Sequence, residues 1–250
     1  MSRGEILMKD NVAVVIPARY ASSRFPGKPL AQLAGKAMIL HVCEKAAASC
    51  ADKVLVATDD QRICNAVTEA GFQAVMTRED HPSGTDRIYE AISGTDAQII
   101  INVQGDEPLI PTSVIDELID LMKKNPHLDM ATVAVPAVRE NMTENNVKVV
   151  FTSDNLALYF SRAPIPFLRS GGVEAPMWLH WGIYAYRRSA LEKFVSLPPG
   201  SLENCEKLEQ LRALENGMKI YVLTSNLSSI GVDTPEDLVK AEEKIKEAAK

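Results

Sequence analysis

The sequence has few cysteines and no long hydrophobic run, and each scarcity narrows the class of protein. Its four cysteines among 250 residues lie in no paired metal-binding spacing, so we expect reduced thiols rather than disulfides or a zinc site. The longest apolar runs, residues 12–16 and 99–101, are far too short to cross a membrane. Residues 1–10 carry charges and lack the apolar core of a signal peptide. We therefore expect a cytoplasmic protein without membrane contact.

Positive charge is also scarce, because 27 Lys and Arg residues face 33 Asp and Glu residues, for a formal net charge of −6. The cations are interspersed and form no basic block, whereas a nucleic-acid surface needs clustered positive charge. We therefore expect no nucleic-acid partner, and any local group of cations should serve a small anion. The length and a hydrophobic content of 46% suffice for the core of one large domain, predicted over residues 1–250.

Short apolar runs alternate with helical patterns in the first half of the chain. The pattern predicts strands at residues 12–16, 53–57, 73–76 and 98–103, and amphipathic helices at residues 38–49, 61–70, 86–92 and 113–124. Strand and helix alternating at this interval indicate right-handed βαβ units around a mostly parallel sheet. The predicted fold is a three-layer, Rossmann-like α/β fold.

The pattern changes after residue 130, where strands are separated by turns. Ser153-Asp154-Asn155 is a plausible hairpin turn between VKVVF and LALYF, so residues 130–186 predict a small antiparallel insertion. Two helices at residues 189–197 and 202–216 and a strand at residues 219–223 follow. The last helix opens at Thr234-Pro235-Glu236-Asp237, which resembles a capping box with proline at the first helical position.

Three cations follow the first strand within the segment IPARYASSRFPGKPL: Arg19, Arg24 and Lys28. Gly27 lies between two prolines, which makes the loop tight and stiff, so its cations, backbone N–H groups and Ser22 can be held ready for phosphate oxygens. A nucleoside triphosphate explains this loop best. A solvated surface loop stays the alternative, because the segment contains neither a P-loop nor a GxGxxG motif.

Polar residues also follow the later strands, and in open α/β sheets ligands bind at the carboxyl ends of strands. Ser83, Gly84 and Arg87 offer hydrogen bonds and a helix N-terminus, although Ser83 could be only a helix cap. Asp106 ends the most apolar strand, where a carboxylate can hold Mg²⁺. Asp233 is the candidate second ligand, with a simple interaction with the helix dipole as its alternative.

A second group of polar residues lies in the second half of the chain. Arginine can form a bidentate pair with a carboxylate, and Tyr, His, Glu and Gln can form hydrogen bonds with sugar hydroxyls. Each of these residues taken alone could equally be a packing or solvent-facing residue. The group consists of Arg162, His180, Tyr184, Glu209 and Gln210.

Eight ordered blocks across nearly the whole chain together resemble the 3-deoxy-manno-octulosonate (Kdo) cytidylyltransferases. These blocks are IPARYASSRFPGKPL, VATDD, SGTDRIYEA, VQGDEPLIP, ALYFSRAPIP, HWGIYAYR, EKLEQLRALENG and GVDTPEDL. The resemblance implies a nucleotide-diphospho-sugar transferase fold, Mg²⁺ dependence and a homodimer. It also implies transfer of CMP from CTP to Kdo, with release of pyrophosphate, for lipopolysaccharide biosynthesis. We expect a direct in-line attack of the sugar hydroxyl on the α-phosphorus.

The resemblance further implies residue roles. Arg19 and Lys28 contact the triphosphate, and Asp106 and Asp233 hold the metal; these four are the expected catalytic residues. Gln104 lies where nucleotide and sugar meet. The other nucleotide-site residues are Ser22, Arg24, Ser83, Gly84 and Arg87, and the sugar-site residues are Arg162, His180, Tyr184, Glu209 and Gln210. The insertion at residues 130–186 is expected to contribute to the sugar site and the dimer interface.

Several features leave alternatives open. The sugar could be a sialic acid or an amino-substituted Kdo, and the chain could be a catalytically silent nucleotide-binding module. A glycosyltransferase is less favoured, because QGDEP replaces the usual DxD motif. Pro82 and Trp181 depart from the family pattern, and Trp181 could narrow the sugar pocket. Residues 1–10 precede the usual start, and we expect them to be peripheral or disordered.

Overall fold

The computed structural model describes residues 11–21, 25–227 and 229–248. The predictions for residues 1–10, and those for Ser22 and Arg24 in the phosphate loop, lie outside these ranges. None of the helices within them combines the length and the apolar character needed to cross a membrane.

The described residues form eleven strands, nine of them in one mixed sheet. In chain order the strands are β1 (Val12–Ala18), β2 (Gln32–Leu33), β3 (Lys36–Ala37), β4 (Lys53–Thr58), β5 (Gln73–Met76), β6 (Ile99–Asn102), β7 (Met130–Ala137), β8 (Lys148–Phe151), β9 (Ala157–Ser161), β10 (Met177–Arg187) and β11 (Ile220–Thr224). The main sheet has the order β11-β7-β10-β6-β1-β4-β5, and β8 and β9 attach to it through β10. Strands β2 and β3 form a separate antiparallel pair.

Helices cover both faces of this sheet. In chain order the helices are α1 (Met38–Ala47), α2 (Gln61–Glu69), α3 (Gly84–Ile92), α4 (Thr112–Lys124), α5 (Arg188–Ser196), α6 (Ser201–Glu206), α7 (Gln210–Glu215) and α8 (Pro235–Ala248). Helix α8 packs against β2, outside the main sheet. Alternate residues of β1 point to opposite faces. Val12, Val14 and Ile16 therefore pack with α1, α2 and α4, whereas Ala13 and Val15 pack with α3, α5 and α7. The predicted three-layer, mostly parallel α/β fold is confirmed.

The strand pairing shows where the antiparallel part lies. Strand β1 is parallel to β4 and β6, and β7 is parallel to β11, whereas β10 runs antiparallel between β6 and β7. Strands β7 and β10 thus extend the main sheet, and their long apolar stretches are buried on it. The antiparallel piece outside the main strand order is the β8–β9 hairpin, whose turn includes Asn155 in the left-handed conformation.

Two helix boundaries are informative. The predicted capping box of α8 is present, because the Asp237 amide donates to Thr234 Oγ1 at 3.3 Å and the Thr234 amide donates to Asp237 Oδ2 at 3.2 Å. The single helix predicted over residues 202–216 is wrong, since α6 ends at Glu206, its C-cap Lys207 has a φ of 53°, and α7 begins at Gln210. The turn between the two helices lets Leu208 enter the core.

Candidate active site

The backbone conformation of Gly27 brings the end of the loop after β1 back to Tyr20. Gly27 has a left-handed φ of 71°, and its amide donates to the Tyr20 carbonyl at 3.0 Å. A Cβ atom on Gly27 would lie 3.1 Å from the Tyr20 ring, so a side chain would be crowded there. A short 3₁₀ turn, Lys28–Leu30, follows directly. Gly27 and the 3₁₀ turn therefore fix the backbone that carries Lys28.

Lys28 lies between two carboxylates from distant parts of the chain. Its Nζ donates to Asp106 Oδ2 at 2.7 Å and to Asp233 Oδ1 at 3.3 Å. A backbone hydrogen bond of 2.8 Å from the Val232 amide to the Asp106 carbonyl joins the two loops that carry these acids. Lys28 is 12% exposed, whereas Asp106 and Asp233 are 34% and 48% exposed, so solvent screens the pair with Asp233 more than the pair with Asp106.

The two carboxylates beside Lys28 are suitable ligands for a magnesium ion. Two carboxylates converge on a single positive charge, and Mg²⁺ is usually held by one or two carboxylates together with water and substrate phosphates. The described residues contain no cluster of three or more His, Cys, Asp or Glu side chains that could hold a metal alone. A divalent ion at Asp106 and Asp233 would therefore share its coordination with a ligand.

A cleft of about 400 Å³ opens at this point, at the carboxyl ends of β1 and β6. Gly105 lets the β6 loop approach closely, because a Cβ atom there would lie 2.8 Å from the Pro17 carbonyl oxygen. The residues that line the cleft include Arg19, Lys28, Gly84, Arg87, Gln104, Asp106 and Asp233. The structure thus brings together most of the residues that the sequence assigned to the nucleotide and the metal.

A second cleft, of about 570 Å³, meets the first at Asp233. Its other lining residues are Glu144, Asn145, Val147 and Arg162. Asp233 therefore faces both spaces, whereas Arg162 lines only the second. This arrangement provides room for two ligands on either side of one carboxylate.

The N-terminus of α3 borders the first cleft. Ser83 Oγ accepts hydrogen bonds from the Thr85 and Asp86 amides, each at 3.2 Å, and donates to Asp86 Oδ2 at 2.6 Å. Ser83 is therefore a helix cap, which was the alternative that the sequence left open. Gly84, in the first turn, lines the cleft and packs against Pro17.

Arg87 is fully buried and is held by other protein groups. Its guanidinium donates to Asp59 Oδ2 at 2.6 Å and also to Thr77 Oγ1. Burial lowers the pKa of Arg87, while the Asp59 carboxylate raises it. Arg87 therefore anchors α3 to the loop after β4, and it borders the first cleft. Sequence reasoning missed Asp59 as its partner, although VATDD was among the motifs.

His180 and Tyr184 lie on β10, within the sheet. Tyr184 pairs in register with Asn102 of β6, whose Oδ1 accepts a hydrogen bond of 3.1 Å from Gln104 Nε2. His180 Nε2 lies 3.0 Å from Thr132 Oγ1, and its ring contacts those of Phe160 and Tyr184. Burial lowers the pKa of His180, which favours the neutral ring. Tyr184 therefore lies beside Asn102 and His180 contacts Tyr184, but neither of these predicted sugar-site residues lines either cleft.

Glu209 and Gln210 lie at the start of α7, and Glu209 contacts α3. Thr85 Oγ1 donates to Glu209 Oε2 at 2.9 Å, and burial raises the pKa of Glu209. Gln210 is buried, and its Nε2 has no hydrogen-bond partner among the described residues. Glu209 thus contacts the first turn of α3, whereas neither Glu209 nor Gln210 lines either cleft.

Arg162 follows β9 and binds backbone carbonyls. Its Nε donates to the Glu206 carbonyl at 2.8 Å, and its Nη1 donates to the Glu144 carbonyl at 3.1 Å. These contacts place the guanidinium at the C-terminal end of α6, where cations are favoured. Arg162 therefore helps to build the second cleft as well as lining it.

The two departures from the family pattern lie in different environments. Pro82 is exposed beside Ser83. Trp181 is 8% exposed and packs in the core on the opposite face of the sheet from Tyr184. The expectation that Trp181 could narrow the sugar pocket is not supported by this placement.

A cation-lined cleft at the strand ends of a mostly parallel α/β sheet, beside two convergent carboxylates, is the site of a nucleotidyltransferase. The cytidylyltransferase family model matches residues 13–220. The chain therefore belongs to the cytidylyltransferase family, and its predicted resemblance to the 3-deoxy-manno-octulosonate cytidylyltransferases is confirmed by individual relatives.

Two relatives and one solved structure illustrate the similarity. A 3-deoxy-manno-octulosonate cytidylyltransferase of Syntrophobacter fumaroxidans is 52% identical over 231 residues, which cover 90% of this chain and 92% of the relative. An 8-amino-3,8-dideoxy-manno-octulosonate cytidylyltransferase of Shewanella sp. (strain ANA-3) is 49% identical over 242 residues, covering 94% and 98%. The structure of a CMP:2-keto-3-deoxy-manno-octonic acid synthetase complexed with CTP superposes with a TM-score of 0.91 at 43% identity, covering 95% and 99%.

Arg87→Met should destabilise the protein by about 3–5 kcal/mol, because it leaves Asp59 as an unpaired buried charge. Urea denaturation measures this change. The control is Arg78→Met, since Arg78 is 66% exposed and pairs with an exposed acid, so its loss should cost about 1 kcal/mol or less. Equal stability losses in the two variants would contradict the anchoring role of Arg87.

Glu107, which follows Asp106, should make stability depend on pH. Burial raises its pKa to about 7, and Asp106 and Asp233 add to the shift. Because the folded-state pKa lies above the unfolded value, stability should fall as pH rises from about 4.5 to about 7. Over this range wild type should lose about 2 kcal/mol relative to Glu107→Gln in metal-free buffer. Parallel stability curves for the two proteins would refute this assignment.

Proposed function

We propose that the chain transfers CMP from CTP to Kdo in a reaction that requires Mg²⁺ and releases pyrophosphate, and that the product serves lipopolysaccharide biosynthesis. The observation that carries the proposal is that Asp233 lines both clefts and that Lys28 joins it to Asp106 in the first cleft. A transferase needs such a junction, because both substrates must reach one reacting centre. The names of the relatives supply the identities of CTP and Kdo.

The first cleft suits a triphosphate. Lys28 and Arg19 line it beside the N-terminus of α3, and cations, helix N-termini and backbone amides all favour phosphate oxygens. The second cleft suits an acidic sugar, since it is polar and includes Arg162. Gln104 lines the first cleft and donates to Asn102, and we propose that the two substrates meet near it.

The chemistry needs positioning and charge stabilisation more than a covalent intermediate. In an in-line displacement, the sugar hydroxyl attacks the α-phosphorus and pyrophosphate departs. Lys28 and Arg19 would stabilise negative charge on the phosphates, because a preorganised cation requires no rearrangement during reaction. Mg²⁺ held by Asp106 and Asp233 would supply further charge neutralisation. Sugar contacts of His180 and Tyr184 stay a prediction of the family resemblance, because neither residue lines the second cleft.

The 8-amino sugar is a second candidate substrate. Relatives named for Kdo and for its 8-amino analogue are 52% and 49% identical to this chain, a difference too small to choose between them. Pyrophosphate release from CTP with each sugar tests the choice directly.

Lys28→Ala and Asp106→Asn should each lower kcat by on the order of a hundredfold, the effect of removing one preorganised charge contact. Pyrophosphate release from CTP, Kdo and Mg²⁺ measures the rate. Lys36→Ala is the control, because Lys36 pairs with Glu44 on α1 and should leave the rate unchanged. Turnover near wild type in either site variant would reject its proposed role, and a silent wild-type protein would reject the reaction.

We also propose a homodimer and a cytoplasmic location. Large apolar side chains within residues 138–173 are exposed, Phe167 by 84% and Val173 by 94%, which supports an interface in this region. Arg139 donates to the Pro166 carbonyl and so joins two parts of the same region. The four cysteines are unpaired, which suits a reducing compartment.

Sedimentation should show a dimer for wild type and a monomer for the double variant Phe167→Ser and Val173→Ser, because the variant removes apolar area from the interface. The circular dichroism spectrum should not change, since both side chains are exposed. A monomeric wild type, or a dimer that survives the double substitution, would place the interface elsewhere or remove it.

A further inference from the structure

Lys148 is a buried cation that the proposed reaction does not use. It begins β8, its side chain has no solvent exposure, and its Nζ donates to the Thr143 carbonyl at 2.7 Å and to the Asn146 carbonyl at 2.6 Å. A third hydrogen bond goes to the Arg162 carbonyl. The three donors of one ammonium group thus match three backbone acceptors.

These acceptors belong to the walls of the second cleft. Residues 143–146 contain Glu144 and Asn145, which line the cleft on one side, and Arg162 lines it as well. Lys148 therefore bridges both parts of the wall. Its backbone adds further links, since it pairs with Ser161 of β9 and Leu179 of β10.

Glu206 completes a polar network around the same cleft. Its carboxylate accepts hydrogen bonds from Ser161 Oγ at 2.6 Å and from the Arg162 amide at 2.9 Å. The Arg162 guanidinium returns a bond to the Glu206 carbonyl and reaches the Glu144 carbonyl. The end of β9, the loop before β8 and the end of α6 are thereby held together.

Burying an ammonium group costs free energy, because the charge loses its hydration. Burial and the nearby Arg162 cation both lower the pKa of Lys148, and an apolar side chain of similar size often stabilises a protein as well as a buried charge does. Charge-assisted hydrogen bonds to three carbonyls, however, fix the geometry of the surrounding loops. The placement of Lys148 therefore favours a role in the shape of the cleft.

We propose that Lys148 is a positioning residue that sets the geometry of the second cleft, and with it the affinity for the acidic sugar. This inference rests on the proposed function, because it assigns the second cleft to the sugar. Lys148 acts through the 143–146 loop and Arg162 and does not touch the nucleotide cleft. Its loss should therefore affect one substrate and spare the other.

The test measures KM for Kdo and for CTP in Lys148→Met and in the milder Lys148→Gln, which keeps two donors and guards against a variant that fails to fold. KM for Kdo should rise about tenfold or more in Lys148→Met and less in Lys148→Gln, the scale of losing an outer positioning contact. KM for CTP should stay within about twofold of the wild-type value, because the phosphate loop and α3 keep their contacts.

Arg188→Met is the matched control. Arg188 also donates to three backbone carbonyls, those of Ala97 at 2.6 Å, Ile92 at 3.1 Å and Thr95 at 2.8 Å, but these lie before β6, away from both clefts. The control should lose stability without changing either KM. Equal changes in KM for Kdo and KM for CTP, or an unchanged KM for Kdo in folded Lys148 variants, would overturn this inference. Either result would leave the proposed function standing. A wild-type protein that releases no pyrophosphate from CTP and Kdo would overturn the proposed function and this inference together.

Discussion

The convergence of Asp106 and Asp233 on one point is the constraint on which the rest of the site depends. Two carboxylates repel each other unless a cation lies between them, and Lys28 supplies that cation at 2.7 and 3.3 Å. The three residues come from the turn after β1, the loop after β6 and the loop before α8. Three backbone contacts bring these segments together. Gly105 approaches Pro17 closely, the Val232 amide donates to the Asp106 carbonyl, and the Gly27 amide donates to the Tyr20 carbonyl.

Around this centre, buried charged side chains link the structural elements that surround each of the two clefts. Arg87 and Asp59 join α3 to the loop after β4 beside the first cleft. Lys148, Arg162 and Glu206 join the β8–β9 hairpin to α6 around the second cleft. In both places a buried charge fixes the distance between elements, whereas the apolar core fixes only their packing. Preorganisation of this kind suits a reaction that depends on positioning two substrates.

The sequence predicted the first half of the fold well, because apolar periodicity marks β1, β4, β5 and β6 and the helices between them. The rule that ligands bind at carboxyl ends of strands also brought Lys28, Gln104 and Asp106 together correctly in space. Apolar periodicity does not determine which strands are neighbours, so it could not predict that β7 and β10 belong to the main sheet. The break at Lys207 depends on the packing of Leu208, and the partners of Arg87 and Arg162 depend on contacts between distant segments. The identities of CTP and Kdo come from the family, since the loop after β1 indicates only phosphate.

The most direct test of the central claim is a measurement of divalent-ion binding that does not depend on turnover. Electron paramagnetic resonance of Mn²⁺, titrated into protein with CTP present, reports the bound ion directly. If Asp106 and Asp233 form one metal centre beside Lys28, Asp106→Asn and Asp233→Asn should each weaken Mn²⁺ binding by about tenfold or more. Binding of Mn²⁺ as tight as in wild type, in either variant, would contradict the account.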